Sequence, residues 1–206
     1  MKVLAAVLIV ASAVGLTIAG AARTADQSRT SDSLERVFAP GGLIKMDLSA
    51  GEYRIEPSRD NQIRMSWSVR DAWRLSHTNV RADVHGSEAS LMTDGSGNGF
   101  RVLIEVPRQS NLHVRLTAGD LTLRGIEGDK DVELHAGELD LDVGRAEDYG
   151  RVDAGIWAGE IDASPFRVTK EGLFRSFSWK GQGRYRLHAH LKAGEIRMRA
   201  TGPAAR

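Results

Sequence analysis

Acids sit directly behind an Ala-Gly pair at Asp120, Glu138 and Glu160, and a row of carboxylates could hold a hard cation such as Ca²⁺. In adjacent parallel strands these side chains would lie about 4.8 Å apart, an unfavourable contact unless a cation, water or neighbouring arginines relieve it. His188 and His190 stand two apart, the spacing that puts both on one face of a strand, yet zinc needs three or four ligands and His135 has no local reason to join them. Asp140 and Asp142 share a strand face, as an acid pair for glycan chemistry would, but they alternate with Leu139, Leu141 and Val143 as a solvated face does. No Gly-x-Ser-x-Gly elbow is present. We expect no enzyme, no metal and no cofactor.

Aromatic residues make the remaining candidate. Phe166, Phe174, Phe177, Trp179 and Tyr185 are interleaved with Arg167, Arg175, Lys180 and Arg184. Aromatic and arginine side chains dominate interaction hot spots, so this stretch is a candidate platform for a protein or glycan, with Trp73 as a separate candidate. The competing reading is that Phe177, Trp179 and Tyr185 cover the open end of a repeat stack. Phe166 and Phe174 fall outside any clear alternation and are expected to be exposed.

These side chains must be held by strands. Ala-Gly-acid-apolar recurs five times, at Gly51, Gly119, Gly137, Gly159 and Gly194, and each copy reverses the phase of an alternating apolar pattern. Val132, Leu134 and Ala136 precede Gly137 on even numbers, whereas Leu139, Leu141 and Val143 follow it on odd ones. Alternation with period two marks a strand with one buried face, and only a turn or bulge can shift it by one residue without exposing its apolar set. The five glycines therefore read as structural corners. Ile63, Met65, Trp67 and Val69 outline a further half-buried strand, Val80, Ala82 and Val84 another, and Phe100, Val102, Ile104 and Val106 a third, closed by Pro107.

Corner spacing near 20 residues suits a β-solenoid or roll, in which each unit buries little alone and stacks on its neighbours. An antiparallel β-sandwich fits the same alternation and stays open as the alternative. Either way the chain is all-β. Around Gly181-Gln182-Gly183 the pattern predicts a hairpin pairing 179 with 185.

Met1-Lys2, the apolar run Val3 to Ile18 and Ala19-Gly20-Ala21 read as a signal peptide over 1–21, or a retained anchor if uncleaved. Residues 22–36 are polar and read as a flexible tether, 37–200 as the β-repeat domain and 201–206 as a disordered tail. The absence of cysteine excludes lipoprotein attachment, disulfides and thiolate metal sites. Without Lys2, 27 basic residues balance 27 acidic ones. That neutrality argues against nucleic acid or an anionic membrane as a partner; the only membrane contact expected is through the N-terminal segment.

The run Arg101-Val102-Leu103-Ile104-Glu105-Val106-Pro107, then Leu112 and Val114, then corners at Gly119, Gly137, Gly159 and Gly194, resembles the bacterial putative-adhesin family of β-strand-repeat domains, roughly from Val37 to Arg199. The Ala before each Gly and the aromatic insertion at 166–185 depart from that pattern. The resemblance implies a β-helix-like fold, export to the periplasm or cell surface, and envelope binding of a protein or glycan. It transfers no catalytic residue, since the family is a domain of unknown function. The alternatives are a periplasmic structural or regulatory component of an envelope-stress system and, third, a polysaccharide-active enzyme.

Overall fold

The computed structural model describes residues 30–95, 97 and 99–200. The expected signal peptide and C-terminal tail lie outside these residues.

Twelve strands form the described domain. They are β1 (Ser31–Val37), β2 (Leu43–Leu48), β3 (Gly51–Pro57), β4 (Gln62–Ser68), β5 (Asn79–His85), β6 (Glu88–Asp94), β7 (Arg101–Val106), β8 (Asn111–Leu123), β9 (Lys130–Asp142), β10 (Tyr149–Ala163), β11 (Val168–Lys180) and β12 (Tyr185–Arg199). One short helix, α1 (Ala72–Leu75), follows β4, and single 3-10 turns cover Ala146–Asp148 and Ser164–Phe166. The strands join in one mixed sheet that does not close into a barrel.

The glycines set the register. Gly51 lies opposite Gly119, Gly119 opposite Gly137, Gly137 opposite Gly194, and Gly194 opposite Gly159, in parallel ladders throughout. Each long strand therefore has one arm before its glycine and one after. β2 and β3 together do the same work as one long strand, pairing with the first and second arms of β8. Phase reversal at the glycine lets both arms turn their apolar side chains inward. Leu112, Val114 and Leu116 are buried from one arm of β8, and Leu121 and Leu123 from the other. The expected face assignment holds: Leu139, Leu141 and Val143 are buried while Asp140 and Asp142 are not.

Gly137 shows why no other residue fits. Its φ is +133°, a region open to glycine, and a Cβ there would run into the carbonyl oxygen of Gly119. Gly51 is the exception among the expected corners. It does not adopt positive φ, and the chain turns there between two separate strands. Ser49, Tyr53 and Thr93 tie that turn together, with Tyr53 Oη 2.7 Å from Thr93 Oγ1.

Two expectations are corrected. Residues 31–36, placed in the flexible tether, belong with Val37 to the edge strand β1, antiparallel to β4. It reads as polar because an edge strand has little to bury, and Leu34 alone of its side chains packs on the core. The hairpin pairing 179 with 185 does not form. β11 runs antiparallel to β10, with Trp179 opposite Val152, while β12 enters between β9 and β10 and is parallel to both. The Gly181–Gly183 loop crosses the start of β10 instead, where Gly181 N–H donates to Gly150 O at 3.0 Å and Gly183 N–H to Tyr149 O at 3.1 Å.

Candidate functional site

The end of the sheet formed by β10, β11 and β12 gathers most of the candidate aromatic residues. Phe166 is only 6% exposed, contrary to expectation, because the Ser164-Pro165-Phe166 turn folds it back over the core. It packs on Tyr149, Phe177 and Trp179, with ring centroids 6.3, 6.4 and 5.0 Å away. Phe177 is buried as well, Trp179 and Tyr185 are half-buried, and Tyr185 meets Tyr149 edge-on. These four candidates thus form one aromatic cluster at the end of the core. Phe174 stands apart at 77% exposure, and Trp73 lies on α1 on another part of the domain, with Arg74 over its ring and His77 edge-on to it.

Beneath the cluster is a residue that the sequence reading passed over. Lys130 begins β9 on the inward face, between Leu112 of β8 and Leu187 of β12, and is 2% exposed. Its ammonium donates to Tyr149 Oη at 2.9 Å and to the Gly128 carbonyl at 3.1 Å. Burial pushes its pKa down from 10.5 to about 8, opposed by the charges of Asp142, Asp129 and Glu127. Burial likewise pushes the Tyr149 phenol upward. The parity of Val132 and Leu134 already places position 130 inward, so the signal was present in the alternation. A groove of about 610 Å³ opens beside this pair, lined among others by Asp142, Arg199, Glu127 and Tyr185.

Outward side chains form columns across the parallel strands. Asp120, Glu138, Glu195 and Glu160 stack in that order, extended by Glu52 at one end and Glu171 at the other. Glu195 therefore separates two of the three acids expected to be neighbours. Arginine relieves part of this row: Arg197 bonds Glu195 and reaches Glu138 at 3.1 Å, and Arg101 reaches Glu52 at 2.7 Å. On the other arm a column runs His113, Asp131, His188, Asp153, with His113 Nδ1 2.8 Å from Asp131 Oδ2. The Arg151 side chain, donating to Asp153 at 2.5 Å, holds that carboxyl below its usual range. His188 and His190 do share the outer face, their rings stacked 4.9 Å apart, while His135 lies farther along the strand toward the corner. Among the described residues no group of three or more acids and histidines is arranged to hold a metal ion.

The arrangement agrees in fold with a solved structure. The chain is similar to a putative cell adhesion protein from Clostridium sporogenes, at 13% identity and a TM-score of 0.54, over 82% of this chain and all of that one. A putative adhesin from Bacteroides fragilis matches 84% of this chain and 99% of its own at 11% identity, with a TM-score of 0.34. The first likeness shows the fold alone; the second is too slight to carry an argument. No protein-family profile and no curated protein match the sequence. Among the described residues no helix is long and apolar enough to cross a membrane.

The alternation also held information about exposure at this end. Val152, Ala154 and Ile156 are inward, which puts Trp157 outward, and it is 56% exposed. Trp157 stands apart in the sequence from the aromatic run that begins at Phe166, so aromatic clustering does not single it out. Leu173, 64% exposed, lies opposite Ala158 on β11.

Proposed function

We propose that this chain is a non-catalytic, exported module of the bacterial cell envelope, a β-solenoid-like roll that binds a protein or a glycan. The supporting observation is the parallel stack of bent strands on a glycine spine. It spends the sequence on a rigid scaffold with outward polar columns, and its fold is like that of the Clostridium sporogenes cell-adhesion candidate. Stacked coils give an extended surface of the kind binding repeats use. The candidate contact region is the β10–β11–β12 end, where Phe174 projects and Trp179 and Tyr185 are half-accessible.

Protease shaving of intact cells carrying a C-terminally tagged chain tests the reading. Degradation on intact cells supports a surface binding role. Protection until the envelope is permeabilised favours a periplasmic structural or regulatory part. A full-length product that stays in the cytoplasm contradicts export altogether.

A further inference from the structure

We propose that the groove beside Lys130 is a binding site for a neutral sugar unit of a glycan, resting on the binding role inferred above and giving it a place and a ligand. Lys130 is a residue that the fold does not need. Leu112 on β8 and Leu187 on β12 stand in register on either side of it, both buried, so an apolar side chain would complete the row. Lysine is seldom fully buried unless it is paired. Lys130 is 2% exposed, yet among the described residues its ammonium meets only a phenol and a backbone carbonyl. Asp142, Asp129 and Glu127 act on it only through their longer-range field. A buried charge without a partner costs folding energy, so a ligand, not packing, accounts for its place there.

Two donors remain at this spot. An ammonium carries three protons. Lys130 gives one to Tyr149 Oη at 2.9 Å and one to the Gly128 carbonyl at 3.1 Å, which leaves the third. Tyr149 accepts from Lys130, and among the described residues its own hydroxyl proton has no acceptor. Both residues line the groove, whose volume of about 610 Å³ suits a small ligand. A ligand rich in oxygen, seated there, supplies the acceptors that these two groups lack.

The rest of the wall selects a neutral ligand. Lys130 and four arginines line the groove together with five carboxylates, so an ion of either sign gains no net attraction. Arg199 stands 3.6 Å from Asp140 and Arg145 3.4 Å from Asp148, which sets donors and acceptors side by side. Sugar hydroxyls donate and accept alike, and a wall of both kinds gives each a partner. The half-exposed Tyr185 adds aromatic surface. An extended peptide bound by strand addition needs a free edge, whereas this groove is lined by the loops after β8 and β9, at 124–127 and 143–148.

The test is an array of neutral oligosaccharides built from glucose, mannose, galactose or N-acetylglucosamine, with oligogalacturonate as the acidic counterpart, probed with the full-length protein. A neutral member is expected to bind, and its free form to shift the ammonium resonance of Lys130 in a lysine-labelled sample. Lys130→Met and Tyr149→Phe, each checked for folding by circular dichroism, should weaken that binding about tenfold or more. Met92→Gln, at an exposed position on β6, should leave it unchanged. Tyr149→Phe removes a single oxygen and keeps the test open should Lys130→Met not fold. A glycan bound with unchanged affinity by both variants, or without moving the Lys130 resonance, would overturn this site and leave a glycan-binding role intact. Binding of oligogalacturonate alone would overturn the neutral ligand. No binding to any member would overturn both the site and the glycan branch of the proposed function, leaving a protein partner for the exported module.

Discussion

Replacing Lys130 with methionine should change how stability depends on pH more than it changes stability itself. The side chain is buried in an apolar column, and its pKa falls from 10.5 to about 8 through loss of solvation. Between those two values the unfolded chain binds more protons than the folded one, so stability rises with pH across that window. Linkage makes the gain about 2 kcal/mol between pH 7 and pH 9.5. The raised pKa of Tyr149 acts with the opposite sign, but only from about pH 10 upward, above the interval from pH 7 to pH 9.5. In Lys130→Met the cost of burying a charge disappears, while Tyr149 Oη loses a donor worth about 1–3 kcal/mol. These terms oppose one another, so the variant should lie within about 1 kcal/mol of the parent at pH 7. Urea unfolding followed by circular dichroism at successive pH values measures both quantities. A parent that gains stability up to pH 9.5 beside a flat variant supports the buried ammonium. Equal slopes in the two proteins would refute it.

Three further outcomes follow from the packing. Gly137→Ala should cost more than about 3 kcal/mol, because its Cβ meets the Gly119 carbonyl, whereas Gly144→Ala, at φ +60° with open space, should cost about 1 kcal/mol; equal losses in thermal melts would deny the spine. Leu139→Asp should abolish the folded circular dichroism signal and Asp140→Ala should leave it nearly unchanged, and similar effects would reverse the assigned faces. Arg197→Met, which frees Glu138 and Glu195 in the acid row, should lower stability by about 1 kcal/mol at low ionic strength and less in salt; a loss independent of salt would show that packing, not charge, is what Arg197 supplies.

Alternation made the buried faces legible, and the phase reversals located the bends. Strand order was not legible, because β8, β9, β10 and β12 all carry Ala-Gly at the same place and any order of these parallel neighbours keeps the glycines aligned. Nothing local required β12 to enter between β9 and β10. Lys130 was hidden for another reason: its parity is inward, but lysine is so seldom buried that residue type outweighs position. Phe166 lies in a turn that breaks the alternation, so its burial has no parity to reveal it. β1 shows the reverse case, a strand whose composition is that of a tether because one flank faces solvent.

Short-span crosslinking between pairs of introduced cysteines tests the central claim, that parallel bent strands stack on a glycine spine with β12 between β9 and β10. The outward positions Asp140, Arg197 and Asp162 lie on β9, β12 and β10, with 197 in register with both others. The account predicts efficient crosslinks for 140 with 197 and for 197 with 162, read by mass spectrometry of the digested protein, and little for 140 with 162. An efficient link between 140 and 162 without the other two would place β9 beside β10 and contradict the stack.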